Sequence, residues 1–167
     1  GSEMCIRDRA YRHYSLSFGP QEERVDTDFI LLAGELAAEG EPRRALTLLE
    51  RFIAGNSGTP GAWLAVANTA MQVGDAELAL QSASRAHDLA PDWDQSQLAV
   101  ARALLLSGET DAALDRIDRI LERRPTLEME LEYVRLLTAA GEELSAIERL
   151  DDLDHQYGDR PEILRTH

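Results

Sequence analysis

Four glycines recur along the chain at a nearly constant interval, and this interval limits the fold more than any other feature. Gly40, Gly74, Gly108 and Gly141 are separated by 34, 34 and 33 residues. An acidic residue follows each glycine directly, and an alanine stands five positions after each glycine: Glu41 and Ala45, Asp75 and Ala79, Glu109 and Ala113, and Glu142 and Ala146. A period of roughly 20–50 residues is typical of arrays in which each unit buries its apolar face against the next one. The sequence therefore predicts a stack of four similar units.

Each unit is predicted to be a pair of helices joined by a tight turn. Hydrophobic residues make up 44% of the chain but aromatic residues only 5%, and this composition, rich in Ala and Leu, favours helix over sheet. Glycine adopts at low cost the left-handed backbone that ends a helix, and the acidic residue after it can cap the next helix. The alanine is expected where the two helices come closest, because a larger side chain would push them apart.

Prolines and polar residues mark the junctions between units. Pro91 and Pro125 are 34 residues apart and are expected to end second helices. Three residues are predicted to cap the first helices that follow the junctions, namely Thr59 before Pro60, Asp92 and Thr126.

This pattern resembles the tetratricopeptide repeat. The best-matching unit carries the packing, turn and terminating residues of that family at Trp63, Val66, Ala67, Ala70, Gly74, Ala79, Ala83, Ala86 and Pro91. Other units depart from it, with Phe29 and Gln97 where the family favours Trp. The resemblance covers residues 26–158, divided into units 26–59, 60–93, 94–126 and 127–158. It implies an all-α, right-handed superhelical solenoid of antiparallel helix pairs.

The segments outside the array are interpreted separately. Residues 3–9 resemble the translation of a sequencing-library adapter, so residues 1–9 are predicted to be a scar, and the single cysteine, Cys5, falls within it. Residues 10–25 are predicted to be a truncated helix tail with a polar connector, and residues 159–167 the start of a further helix. A weaker resemblance to long bacterial repeat proteins suggests a bacterial fragment. The sequence leaves the compartment open between the bacterial cytoplasm and the periplasmic side of the cell envelope.

The charge of the chain argues against several classes of partner. The net charge is −14, and all 17 basic residues are arginines that nowhere cluster beyond a pair. A surface of this kind repels a phosphate backbone, so we expect no nucleic-acid partner. No run approaches the roughly 18 apolar residues of a membrane span, so we expect no direct membrane insertion.

The sequence offers little catalytic chemistry. The four histidines are scattered, and neither a phosphate-binding loop nor a nucleophile elbow is present. Asp151, Asp152, Asp154 and His155 form one dense polar cluster, which could hold a divalent cation weakly but is better interpreted as a solvated helix face. We therefore expect neither enzymatic activity nor a cofactor.

The fold implied by the resemblance places the first helix of each unit along a concave surface, and this surface is the predicted binding site. Eight residues are predicted to contact a partner there: Leu64, Asn68, Met71, Leu98, Arg102, Leu105, Leu131 and Arg135. They lie three or four positions apart within each helix and so share a face. An alternative is that the leucines only pack between neighbouring units.

An apolar groove with an asparagine and two arginines suits an amphipathic helix or an extended segment that carries an acidic group. The chain is therefore predicted to be a protein-interaction scaffold. The alternative is a structural spacer in a larger bacterial protein, without a ligand of its own. The basic clamp of the family's chaperone-binding branch is matched at Asn68, but Leu64, Ala99 and Glu132 stand at its other positions, so that branch is not expected.

Overall fold

The computed structural model describes residues 23–158, and side chains from residue 28 onward. Across these residues the chain forms eight α-helices and no strand. The helices are α1 (Glu23–Ala38), α2 (Pro42–Gly55), α3 (Pro60–Val73), α4 (Ala76–Leu89), α5 (Asp94–Leu106), α6 (Thr110–Arg123), α7 (Leu127–Ala139) and α8 (Glu143–Tyr157). Each helix packs against the next along the chain, α1 also contacts α3, and α3 contacts α5. The predicted all-α array of helix pairs is confirmed.

The recurring glycines end the first helix of each pair. Gly40, Gly74, Gly108 and Gly141 have φ angles of 89, 79, 84 and 83°, and no other described residue has a positive φ. The residue after each glycine donates its backbone N–H to a carbonyl five residues earlier, as from Asp75 to Ala70 at 2.9 Å. This hydrogen bond satisfies a carbonyl that the end of the helix leaves without a partner. The glycine turn therefore reverses the chain at the same point of every pair.

Replacing Gly74 by alanine tests this requirement. The left-handed conformation costs an L-residue about 1–2 kcal/mol, so Gly74→Ala should lower the free energy of unfolding by that amount. Gly55→Ala is the matched control, because Gly55 lies in α2 with open space around its Cα and should gain stability from the same change. Urea unfolding followed by circular dichroism measures both. Equal effects would contradict the role of the positive φ.

The predicted helix caps are confirmed only in part. The Asp75 carboxylate accepts a hydrogen bond from the Leu78 N–H at 3.0 Å, and the Thr126 hydroxyl accepts one from the Met129 N–H at 3.3 Å. Glu41, Glu109 and Glu142 stand at the N-cap position without such a bond, as does Thr59. Aspartate caps a helix well because its short side chain reaches the free N–H groups of the first turn.

Two boundary predictions are wrong. Asp92 does not cap α5, since Trp93 holds the N-cap position and the helix begins at Asp94. Residues 23–25 were expected to be a connector, but they belong to α1, which begins at Glu23. The predictions for residues 1–22 and 159–167 lie outside the described residues.

The core follows the inner faces of the helix pairs. The four recurring alanines are buried, with exposed fractions of 0% for Ala45, Ala79 and Ala113 and 4% for Ala146. Trp63, which stands at a packing position of the repeat, is half-buried. It packs against two successive core clusters, and its indole N–H donates to the Ser57 carbonyl at 2.9 Å. The clusters thus continue from one pair to the next, as expected of a repeat array.

Gln97 stands where the repeat family favours tryptophan, and it makes polar contacts at this position. Its side chain is buried, its amide N–H donates to the Pro91 carbonyl at 2.8 Å, and its amide oxygen accepts from Arg123 Nη2 at 2.6 Å. A buried amide needs partners for its donor and its acceptor, and both have one here. Gln97 therefore links α5 to the end of α6.

Candidate partner-binding groove

The structure separates the eight predicted binding residues into two layers. Leu64 and Leu98 are buried, with exposed fractions of 5% and 1%, and belong to separate core clusters. Ile30, which precedes them in the same register, is 5% exposed. They are not available to a partner, which corrects the prediction for these two leucines. The physical reason is that both leucines pack among residues of the helices that follow them. The cluster of Leu64 includes Ala79 of α4 and Ala99 of α5, and the cluster of Leu98 includes Ile117 of α6 and Met129 of α7.

The other six predicted residues remain accessible and are here called the groove face: Asn68, Met71, Arg102, Leu105, Leu131 and Arg135. Met71 packs partly against the cluster that contains Leu64, and Leu105 against the cluster that contains Leu98. Leu131 rests on the last cluster, between α7 and α8. All three are half-buried, so they are held in place by the core and still present part of their surface.

A buried carboxylate links the two arginines of the groove face. Arg102 Nη2 donates to Glu132 Oε2 at 2.6 Å, and Arg135 Nη1 donates to Glu132 Oε1 at 2.5 Å. The Glu132 side chain is 9% exposed, whereas those of Arg102 and Arg135 are 38% and 70% exposed. This arginine–glutamate triad joins α5 to α7 and carries a net charge of +1.

The two arginines of the triad keep most of their hydrogen-bond donors available for a partner. A guanidinium has five N–H groups, and within the described part of the chain each of these two arginines makes one hydrogen bond, to Glu132. The remaining donors of Arg135 lie on a well-exposed side chain. The groove face therefore presents positive charge on a protein whose formal net charge is −14.

Sequence reasoning missed the role of Glu132, which it treated only as a mismatch to a basic clamp. A signal was present in the register, since Glu132 stands in the fourth unit where Ala65 and Ala99 stand in the second and third. All three positions are buried. A buried position that changes from alanine to glutamate needs a charged partner. Arg135, three residues later on the same helix, was the nearest candidate.

A second polar cluster holds α7 in place on its other side. Arg149 Nε and Nη2 donate to the two carboxylate oxygens of Glu130 at 2.8 and 2.9 Å, and its guanidinium lies 5.5 Å from the centre of the Tyr133 ring. Tyr133 lies near Asp118, and partial burial raises the pKa of both groups. These contacts connect α6, α7 and α8, so the helix that carries Glu132 is fixed from both sides.

Removing one arginine of the triad should destabilise the protein. Arg102→Ala leaves the buried Glu132 carboxylate with only the exposed Arg135, so the free energy of unfolding should fall by about 2 kcal/mol. Arg124→Ala is the control, because it breaks the Arg124–Asp94 pair, 3.2 Å long with side chains 63% and 24% exposed. That exposed pair should cost below about 1 kcal/mol. Urea unfolding that shows equal losses would mean that Glu132 is not held by Arg102.

The described residues offer no metal site and no membrane span. Between residues 23 and 158, no three His, Cys, Asp or Glu side chains converge as metal ligands, and the cluster from Asp151 to His155 is no exception. His155 Nδ1 lies 2.7 Å from the Asp151 carbonyl oxygen, and this hydrogen bond, with the nearby aspartates, raises the pKa of His155. None of the eight helices is long and apolar enough to cross a bilayer.

Comparison with known proteins identifies the fold by structure alone. No protein-family model and no curated protein matches the sequence. A crystal structure of MamA protein superposes with a TM-score of 0.62 at 14% identity, covering 93% of this chain and 90% of MamA. The second TPR domain of the human RPAP3 protein, solved in complex with the HSP70 peptide SGPTIEEVD, superposes with a TM-score of 0.58 at 16% identity, covering 65% of this chain and 91% of that domain.

The first TPR domain of human RPAP3 also matches, with a TM-score of 0.60 at 14% identity over 70% of this chain and 93% of the domain. Identities this low establish a shared fold and nothing about shared ligands. The chain therefore has a TPR-like fold, in which helix pairs stack into an array.

Proposed function

We propose that this protein is an interaction scaffold whose groove face binds a helix or an extended segment of another protein that carries an acidic group. The observation that carries the proposal is the arginine–glutamate triad. It places a net positive charge beside half-buried apolar side chains on an otherwise acidic chain. Charge complementarity of this kind directs partner choice and orientation.

The apolar part of the groove face supplies contact area. Met71, Leu105 and Leu131 are half-buried, so a partner that covers them removes their remaining apolar surface from water without having to order them first. They lie on three successive first helices, and an apolar side chain at each suits a segment that runs across the array. Asn68, also half-buried, adds an amide that can pair with the partner's backbone.

The two arginines of the groove face determine which charge the partner must carry. Arg102 and Arg135 retain donors after binding Glu132, and guanidinium groups pair strongly with carboxylates. A partner with a basic group at this point would meet two guanidinium groups and one buried carboxylate, a net repulsion. We therefore expect the bound segment to place an Asp, a Glu or a C-terminal carboxylate over the triad. The peptide complex of the second RPAP3 domain, which has the same fold, supports a peptide partner.

The same observations favour binding over catalysis. The described residues bring together carboxylates, arginines and apolar side chains, and none of these contacts forms a nucleophile–base pair of the kind that catalysis requires. We propose a role without enzymatic activity or cofactor, and with a protein rather than a nucleic acid as partner.

A random peptide library displayed on phage tests the proposal without knowledge of the natural partner. Selection on the wild-type chain should enrich peptides that combine apolar residues with Asp or Glu. Arg102→Gln with Arg135→Gln should weaken binding of the enriched peptides by about 10–100-fold, as expected for the loss of one or two charged hydrogen bonds. Glutamine is chosen over alanine because its amide can still donate to Glu132.

The matched control is Arg44→Gln with Arg124→Gln. Arg44 is 70% exposed and pairs with Glu41 three residues away, as Arg135 does with Glu132. Arg124 pairs with Asp94 thirty residues away, the same separation as Arg102 and Glu132. The control variant should bind the enriched peptides as wild type does. No enrichment by the wild-type chain, or equal binding by both variants, would contradict the proposal and favour a structural spacer.

A further inference from the structure

One side of α6 carries a row of arginines, here called the arginine row. Arg116, Arg119 and Arg123 stand three and four residues apart, so their side chains leave the same side of the helix. The row is about 10 Å long at the usual rise of an α-helix. Within residues 28–158 none of the three forms an ion pair, since the ion pairs there use other arginines. Three positive charges therefore stand together without a carboxylate of this chain bound to them.

The acidic residues of α6 lie on a different side of the helix. Each of three acids stands one position before an arginine of the row, about 100° away around the helix. These acids are Asp115, Asp118 and Glu122. Asp118 lies near Tyr133 of α7, whereas the charge of Arg116 acts on His87 of α4. The acids are thus directed toward the fourth helix pair and the arginine row toward the second pair.

His87 reports the positive charge on this side of α6. It stands thirteen residues after a turn glycine, where the first and third pairs have Ile53 and Leu121, which are 8 and 7% exposed. Among the described residues, His87 Nδ1 is enclosed and has no hydrogen-bond partner. Burial and the charge of Arg116 lower the pKa of His87, and the charge of Asp88 opposes them in part. The end of α4 therefore faces a positive potential.

The fourth helix pair shows what an arginine in this register binds. Arg149 stands eight residues after Gly141, as Arg116 stands eight residues after Gly108. Arg149 donates to the two carboxylate oxygens of Glu130 at 2.8 and 2.9 Å. An arginine at this position of the repeat can therefore hold a carboxylate with two of its donors, which is a strong and oriented contact.

The third pair lacks the corresponding carboxylate. Glu130 stands eleven residues before its turn glycine, and the residue eleven positions before Gly108 is Gln97. The Gln97 amide oxygen already accepts from Arg123 at 2.6 Å. Arg116 is half-buried, and burial with the neighbouring charge of Arg119 lowers its pKa. No hydrogen bond to another described residue replaces the missing carboxylate. A partly buried guanidinium in this state is stabilised by an anion.

We propose that the arginine row binds the carboxylates of an acidic segment of another protein, with one carboxylate held by Arg116. Glu130 on Arg149 gives the chemistry of the ligand, since both arginines stand in the same register. An extended segment covers the length of the row with three or four residues, so it can place carboxylates on more than one guanidinium. This site lies on the second helices α4 and α6, apart from the groove face on α3, α5 and α7.

NMR of the arginine side chains tests the site with acetylated hexaglutamate as the probe. The Nε–H resonance of Arg116 should shift on titration, whereas that of Arg149, which already binds Glu130, should not. Arg116→Gln should weaken binding, followed at the Arg119 resonance, at least about tenfold through the loss of a charged hydrogen bond. Following Arg119 excludes any binding at the groove face from the measurement.

Arg51→Gln is the matched control. Arg51 is an exposed arginine of α2 that stands in the register of Arg119 and forms no ion pair with another described residue. The variant changes the net charge as Arg116→Gln does, and it should bind hexaglutamate as wild type does. Equal affinities of the two variants would overturn the proposal, and so would equal shifts of the Arg116 and Arg149 resonances.

The pKa of His87 gives an independent measure of where the probe binds. A bound carboxylate offsets the charge of Arg116, so hexaglutamate should raise the pKa of His87 and leave that of His155, exposed on α8, unchanged. An unchanged pKa of His87 would contradict binding at the arginine row. Glutarate, a free dicarboxylate, should bind at least about tenfold more weakly than hexaglutamate, because it cannot span the row. Equal affinity for glutarate would identify a small acid as the ligand and overturn the assignment of a protein segment.

Discussion

The structure depends on the close contact between the two helices of each pair at one alanine. Ala45, Ala79, Ala113 and Ala146 stand five residues after the turn glycines and are buried, so the second helix lies directly against the first. The glycine turn makes this possible, because its positive φ reverses the chain within two or three residues. Once the pair is closed, its remaining apolar surface faces along the array and is covered by the next pair.

This packing decides what the groove face can present. Leu64 and Leu98 are buried in core clusters that extend to the following helices, so neither can contact a partner. What remains accessible is a set of half-buried apolar side chains and the arginine–glutamate triad. The triad spans α5 and α7, and its buried carboxylate orients two guanidinium groups whose other donors remain available. Charge therefore contributes more to the proposed binding surface, and apolar area less, than the sequence suggested.

The repeat made the helix pairs, the turn glycines and the buried alanines predictable, because each follows from a short-range rule applied in register. The burial of Leu64 and Leu98 could not be predicted in the same way. A periodic pattern identifies which side chains share a face, but their burial depends on how closely the neighbouring helix approaches. The contact of Arg102 with Glu132 crosses from one pair to the next and depends on the relative position of α5 and α7. Asp92 failed as a cap because Trp93 takes the N-cap position, a one-residue difference that pattern reasoning does not resolve.

The most direct test of the close helix contact is to enlarge one of its alanines and compare the result with an enlarged neighbour. Ala113 is 0% exposed, whereas Ala112 beside it on α6 is exposed. Urea unfolding should show that Ala113→Leu lowers the free energy of unfolding by about 1–3 kcal/mol, the usual cost of overpacking a core. Ala112→Leu should change it by no more than about 0.5 kcal/mol, as for most surface substitutions. Equal effects at the two positions would show that the helices do not meet at the alanine, and would contradict this account of the array.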